Sequence, residues 1–273
     1  MIIGRDGGFN LYIRVMEKDT LPNEMTYNGN HLFHYTTLDS AIKIILSNTL
    51  RFGKFENMND IAEVKRELYD EAGSEYLEQI VSQYRAISLT IDSGTNDRGF
   101  AIDALWGYYA DKGNGVCLVF DRKKLIDKYK KQFRIKNDGI PEDLGVKYEH
   151  DYSNLNFGDG NTYDQLEKYV KENIEDLFYK KDCCWQHEKE LRLLVKSPED
   201  TFLELDDSLM GAIICVPKEN DYKKSMQYKL LDELQKTRNF SIYHYTTKLG
   251  MRELEKDYER LWPIAGVDYE YDI

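Results

Sequence analysis

From His31 onward the chain switches repeatedly between a two-residue and a 3.6-residue hydrophobic rhythm. HLFHYT alternates apolar and polar positions, as a half-buried strand does. LDSAIKIIL follows at once and sets Leu38, Ala41, Ile42 and Ile45 on one helical face, with Thr37 placed to cap it. RFGKFENMND carries turn residues, and a helical stretch from Ile61 to about Tyr84 is expected to break near Gly73-Ser74. AISLTI (86–91) reads as a strand, AIDALWGYYA (101–110) as a short helix and GVCLVF (115–120) as a buried strand. RKKLIDKYKKQF is a basic amphipathic helix with a solvated face. LGVKYEH predicts another strand, and TYDQLEKYVKENIEDLFYKK one helix with Leu166, Val170, Ile174 and Leu177 in line. CCWQHEKELRLLVK, TFLEL and MGAIICV are strand-like, a helix follows over Lys223–Leu234, and FSIYHYTT closes the series as a strand.

Such irregular interleaving lacks the steady βαβα order of a parallel sheet. It predicts an α+β fold, with a mixed or largely antiparallel sheet and flanking helices. No Pro/Gly-rich linker divides residues 31–273, which read as one domain. Residues 1–30 read as an extension holding a short strand-like LYIRV and turn chemistry. HYTT occurs at His34–Thr37 and again at His244–Thr247. A true repeat would share flanks. The first copy precedes an apolar helix and the second the charged KLGMRELEKDYERL, so the copies are expected to be independent, with the first one working.

Composition narrows the function. A net charge of −12 argues against broad binding to nucleic-acid backbone or to an anionic membrane, yet leaves room for a local phosphate pocket. The four cysteines (Cys117, Cys183, Cys184, Cys215) show no metal-ligand spacing, so no metal is expected. Cys117 and Cys215 sit in apolar runs as small hydrophobes, pointing to a reducing compartment. No run approaches a membrane span and the N-terminus has no secretory pattern, so a cytoplasmic protein with no membrane partner is expected.

Four stretches could carry chemistry. His34-Tyr35-Thr36 ends a strand and opens a helix, where free N–H groups suit an anionic or ribose-bearing ligand, although Thr36 or Thr37 could simply cap the helix. Asn59, Asp60 and Glu63 have capping-box spacing. Trp106, Tyr108 and Tyr109 lie within one helical turn, as cleft wall or as core. In WQHEKELRLLV, read as a strand, Gln186, Glu188, Glu190 and Arg192 share one face and Leu191, Leu193 and Val195 the other. Two carboxylates and a guanidinium in a row either mark a site or line the wet side of an edge strand.

In this order the pieces resemble a bacterial family defined only as a domain of unknown function. Its pattern runs His-Tyr-Ser/Thr, Asn-Asp-Pro-x-Glu, Phe-Ser, Trp-x-x-Tyr-Ala, Gly-Val-Cys and Trp-x-x-Glu-x-Glu-x-Arg. The counterparts are His34-Tyr35-Thr36, Asn59-Asp60-Ile61-Ala62-Glu63, Ser88 beside Leu89, Trp106-Gly107-Tyr108-Tyr109-Ala110, Gly115-Val116-Cys117 and Trp185 through Arg192. The likeness covers about residues 31–220. It departs at Ile61, where the family has proline, and at Tyr108, where it has histidine.

The motif order is also similar to that of ADP-ribosyltransferases, which hold NAD in a cleft between two small sheets. That resemblance implies a split sheet with NAD as substrate. His34 would contact ribose, Tyr35 or Tyr109 would stack, and Glu190 would be the catalytic carboxylate, with Glu188 orienting an acceptor. Thr36, Ser88, Trp106 and Arg192 would complete the binding site. It implies an ADP-ribosyltransferase or NAD glycohydrolase serving as a toxin or phage-defence effector, with a protein or nucleic-acid acceptor. The alternative is a non-catalytic nucleotide-binding or sensor module of a defence system. A metal-dependent nucleic-acid enzyme is disfavoured by the acidic charge.

Overall fold

The computed structural model describes residues 25, 28–58, 71–94, 98–135, 139–150, 162–215, 222–248 and 251–256. In chain order the elements are β1 (His31–Thr36), α1 (Leu38–Ser47), β2 (Thr49–Arg51), β3 (Gly53–Lys54), α2 (Glu71–Val81), β4 (Tyr84–Ile91), α3 (Asp103–Tyr108) and β5 (Val116–Asp121). Then come α4 (Arg122–Phe133), β6 (Lys147–Tyr148), α5 (Tyr163–Glu172), α6 (Ile174–Phe178), β7 (Lys180–Lys181) and β8 (Glu190–Lys196). The series ends with β9 (Phe202–Glu204), β10 (Leu209–Cys215), α7 (Met226–Gln235), β11 (Ser241–Lys248) and β12 (Met251–Lys256). The expected LYIRV strand and the Asn59-Asp60…Glu63 motif lie outside the described residues.

The helix starts follow their polar caps. Thr37 accepts from the Ser40 N–H, Asp121 from Lys124, Ser225 from Tyr228, and Thr162 forms a reciprocal capping box with Gln165. Asn48, in the left-handed region at φ 57°, ends α1.

The main sheet has eight strands in the order β12-β11-β10-β5-β1-β4-β3, with β8 on the other edge of β4. Every described pairing within it is antiparallel except β10 with β11. The fold is therefore α+β with a mixed, mostly antiparallel sheet and flanking helices. Side-chain alternation divides the core. Leu32, Leu118, Phe120, Ala212 and Ile242 join Ala41, Ile45, Leu125 and Leu231 from α1, α4 and α7. Phe33, Tyr35, Cys117, Ile213, Tyr243 and Tyr245 join Phe100, Leu105 and Trp106 on the opposite side. A further cluster packs α2, α5 and α6 over Tyr84, Ala86 and Leu194.

Several local expectations change. Helix α2 runs unbroken through Gly73-Ser74. The long helix expected over 162–181 divides at Asn173, whose φ of −123° is not helical. LGVKYEH yields only the two-residue β6 and an isolated bridge from Gly145 to Leu191. Cys183–Glu188 is a 3-10 turn rather than strand, ended by Lys189 in the left-handed region at φ 48°.

The two HYTT copies are not neighbours: β11 lies three strands from β1, across β10 and β5. Their tyrosines nonetheless meet one ring. Tyr35 packs edge-on against Trp106 at 5.2 Å, and Tyr245 stacks on it at 6.0 Å. Tyr245 is therefore core packing, and His244 lies away from the cleft described below.

Strand β4 shapes that cleft. One edge pairs with β8 over seven residues, from Tyr84↔Lys196 to Thr90↔Glu190. The other edge is shared: β1 takes Thr90 and Ile91, and β3 takes Arg85 and Ala86. Among the described residues nothing pairs with Ile87–Leu89 on that edge, and the gap opens into a cleft. Tyr108 and Tyr109 at the end of α3 border it, and Gly115 lets the turn that follows pack closely on the end of β1. A side-chain carbon there would come within 2.3 Å of the Thr36 carbonyl oxygen and 2.8 Å of Ala110 backbone. Gly115→Ala is expected to cost about 1–3 kcal/mol through overpacking, read as a lower urea midpoint with an unchanged slope.

Candidate functional site

The cleft has a volume of about 380 Å³, within the roughly 300–1,000 Å³ of small-molecule sites. Its walls include His34 from β1, Ser88 and Thr90 from β4, Tyr108 and Tyr109 from the end of α3, and Lys181, Glu188 and Glu190. Arg51 and Gly53 border its other end.

His34 stands where the β1–β4 ladder stops. Its Nδ1 lies 3.2 Å from the Ser88 carbonyl oxygen. A carbonyl only accepts, so Nδ1 carries the hydrogen and Nε2 of the neutral ring is an acceptor. Burial pushes the imidazole below its usual value, against the raising effect of the Ser88 bond. Near neutral pH this ring is uncharged and suits a hydroxyl donor.

The charged centre is a closed network. Glu190 Oε1 accepts from the Ser88 hydroxyl at 2.6 Å and from Arg192 Nε at 2.7 Å. Its Oε2 accepts from Arg192 Nη2 at 3.0 Å and lies 2.7 Å from Lys181 Nζ. The same Lys181 Nζ donates to Glu188 Oε2 at 2.7 Å, while the Tyr109 hydroxyl donates to Glu188 Oε1 at 2.6 Å. Two carboxylates thus face two cations, and all four side chains are almost fully buried. Burial on its own would raise the Glu190 carboxyl. The adjacent Arg192 and Lys181 charges and their hydrogen bonds reverse that and hold it well below the carboxylate range.

Neighbouring backbone fixes the geometry. Glu190 N–H donates to the Tyr148 hydroxyl at 2.8 Å, and Val146 N–H to the Glu190 carbonyl at 3.0 Å. Arg192 Nη1 donates to the Phe178 carbonyl, and its guanidinium lies 5.3 Å from the centre of the Phe55 ring.

The structure sorts the predicted residues. His34, Ser88, Tyr109, Glu188 and Glu190 gather around one cleft. Glu188 arrives differently from expectation: it ends the 3-10 turn instead of sharing a strand face with Glu190, and the left-handed Lys189 turns the two carboxylates towards Lys181. Gln186, expected on that face, is solvent-exposed on the same turn. Tyr35 borders the cleft, but its buried ring packs on Trp106 and its hydroxyl donates to the Gly99 carbonyl at 2.6 Å, so it does not offer a stacking surface. Trp106 is core: its indole N–H donates to the Phe100 carbonyl at 2.9 Å. Thr36 is buried at the end of β1. Arg192 lies behind Glu190 and holds it without lining the cleft.

Sequence reasoning missed Lys181, Tyr148 and Arg51. Lys181 is one of two adjacent lysines after an amphipathic helix, and nothing local marks it as buried. Tyr108 is an exposed aromatic at the rim, with ring centres 6.5 Å from Trp185 and 6.4 Å from His187. Among the described residues no cluster of His, Cys, Asp and Glu could hold a metal ion, all four cysteines are free thiols, and no helix is long and apolar enough to cross a membrane.

A protein-family profile described as "Protein of unknown function (DUF2971)" matches residues 105–193. The match runs from within α3 through most of β8 and so includes Tyr109, Lys181, Glu188 and Glu190, while β1 and β4 fall outside it. No curated protein and no solved structure matches the chain.

Lys181→Met would leave two buried carboxylates without their shared cation and is expected to cost about 3–5 kcal/mol. The folded Glu190 ionises below its ordinary value of 4.5, so the stability it contributes is complete above about that pH and is lost as pH falls through the lower folded value. The Lys181→Met penalty should therefore shrink on acidification, measured as urea midpoints of both proteins between pH 7 and 3.

Proposed function

We propose that the cleft binds an NAD-type nucleotide and promotes cleavage of its N-glycosidic bond, as an ADP-ribosyltransferase or an NAD glycohydrolase. The observation that carries this reading is Glu190, a carboxylate kept ionised in a nearly dry wall of the cleft, two residues from a second carboxylate. When the bond from ribose C1′ to the nicotinamide nitrogen breaks, positive charge grows on the ribose. A fixed anion in a water-poor site stabilises that charge without reorganising. In this reading His34 Nε2 accepts a ribose hydroxyl. Ser88 and Arg192 hold the Glu190 carboxylate in one orientation. Glu188, held by Tyr109 and Lys181, receives the proton of an attacking water or acceptor hydroxyl. A role as a toxin or phage-defence effector, with a protein or nucleic-acid acceptor, extends the same proposal through the family resemblance.

A second reading has its own observation. Glu190 already receives donors from Ser88, Arg192 and Lys181, which is how a structural carboxylate is satisfied. A nucleotide-binding or sensor module would need no more.

Free nicotinamide, followed after mixing the purified protein with NAD, separates the two. The enzyme reading expects release by the wild type and a loss of about 100-fold or more in Glu190→Gln and Glu188→Gln, with melts showing both variants folded. Equal release from wild type and both folded variants would remove these carboxylates from the reaction. Absence of release from the wild type, with lysate supplied as acceptor, favours the binding module.

A further inference from the structure

One cation bordering the cleft, Arg51, is not used by the chemistry above, and two more that do not line the cleft, Arg85 and Lys54, lie around its partner Asp200. Arg51, the last residue of β2, borders the cleft, and its Nη2 donates to Asp200 Oδ1 at 2.9 Å. The Arg51 and Asp200 side chains are 59% and 55% exposed. Beneath them Arg85 is only 3% exposed. It donates through Nε to the Ser197 carbonyl at 3.1 Å and through Nη2 to the Pro198 carbonyl at 2.9 Å. Its Nη1 is buried with no hydrogen-bond partner, and Asp200 Oδ1 is 3.7 Å away. Lys54, paired with Glu56 at 3.1 Å, adds charge on the neighbouring strand. Three cations thus meet two carboxylates in a chain of net charge −12.

A buried guanidinium arm with no acceptor is a donor looking for an anion. Asp200 meets that need poorly, since one exposed carboxylate is shared by two arginines. An exposed ion pair of this kind is weak. A phosphate offers more oxygens and more charge, and a guanidinium fork fits it in two-pronged fashion.

We propose that Arg51 and Arg85 form an anion subsite at the end of the cleft, occupied by Asp200 in the free protein and by a phosphate group of the ligand in the complex. The inference rests on the reading of the cleft as a nucleotide site. It assigns an orientation, with the phosphates towards Arg51 and the ribose towards His34 and Glu190. It also makes Asp200 a built-in competitor that a phosphate-bearing ligand must displace.

Calorimetric titration with ADP, adenosine and inorganic pyrophosphate tests it on wild type, Arg51→Gln and Asp200→Asn. Both substituted side chains are exposed, so both variants should remain folded, which melts check. The wild type should bind ADP and pyrophosphate, with adenosine at least tenfold weaker. Arg51→Gln should weaken ADP about tenfold or more, the loss of a charged hydrogen bond. Asp200→Asn should tighten it by up to about fivefold, the worth of an exposed ion pair. Equal ADP affinity in wild type and Arg51→Gln, weaker binding by Asp200→Asn, equal affinity for adenosine and ADP, or no ADP binding by any form would each overturn the subsite. These titrations involve no bond cleavage. Arg51-dependent ADP binding without nicotinamide release keeps the subsite and discards the enzyme, and nicotinamide release without Arg51 dependence does the reverse.

Discussion

Lys181 is the hinge of the structure. A single ammonium lies 2.7 Å from each of two buried carboxylates that sit two residues apart. Without it, Glu188 and Glu190 would repel each other in a low-dielectric wall. With it, and with Arg192 behind Glu190, the two carboxylates and two cations balance, so the charges can be buried at all. Much of the nearby architecture serves this arrangement. The break at Asn173 ends α5 and lets α6 bring the Phe178 carbonyl to Arg192. The 3-10 turn carries Glu188 back beside the strand that bears Glu190.

The second constraint is the divided edge of β4. One strand cannot offer the same hydrogen-bonding edge to β1 and β3 along its whole length, and the stretch between them is the cleft floor. His34 fills the place of a missing ladder rung with a side-chain bond to the Ser88 carbonyl. Through Ser88 this edge connects to the charge network, because the Ser88 hydroxyl bonds Glu190 across the β4–β8 pairing. Backbone topology and side-chain electrostatics therefore meet at one residue. In the proposed reading, ligand recognition would be spread along the cleft: neutral histidine and ionised carboxylate near the middle, exposed tyrosine at one rim, and arginine at the opposite end.

Much of the fold was legible in the sequence. The strands at 31–36, 84–91 and 116–121 and the helices α1, α4 and α7 follow from hydrophobic period and polar caps, which are local. The site was legible in part. His34, Ser88, Tyr109, Glu188 and Glu190 stand out by type and order, and they do converge. Tyr35 and Trp106 pack into the core although they sit beside a motif, because an aromatic there looks the same whether it faces ligand or core, and only sheet alternation decides. WQHE was misread as strand because its charged and apolar positions also fit alternation, whereas Lys189 in the left-handed region stops the strand from starting earlier.

By itself, the sequence determined the α+β class, the capped helix starts, the buried strands and the presence of two carboxylates near an arginine, since each depends on neighbours a few residues apart. Tertiary structure alone decided that Lys181 is buried between those carboxylates, that Arg51 and Arg85 converge on Asp200, and that the β4 edge is shared. Those are contacts across 7 to 149 residues of chain. No local propensity encodes them, because the forces that select them, compensation of charge in a nearly dry interior for Lys181 and pairing between distant elements for the others, act only once the strands have been brought together.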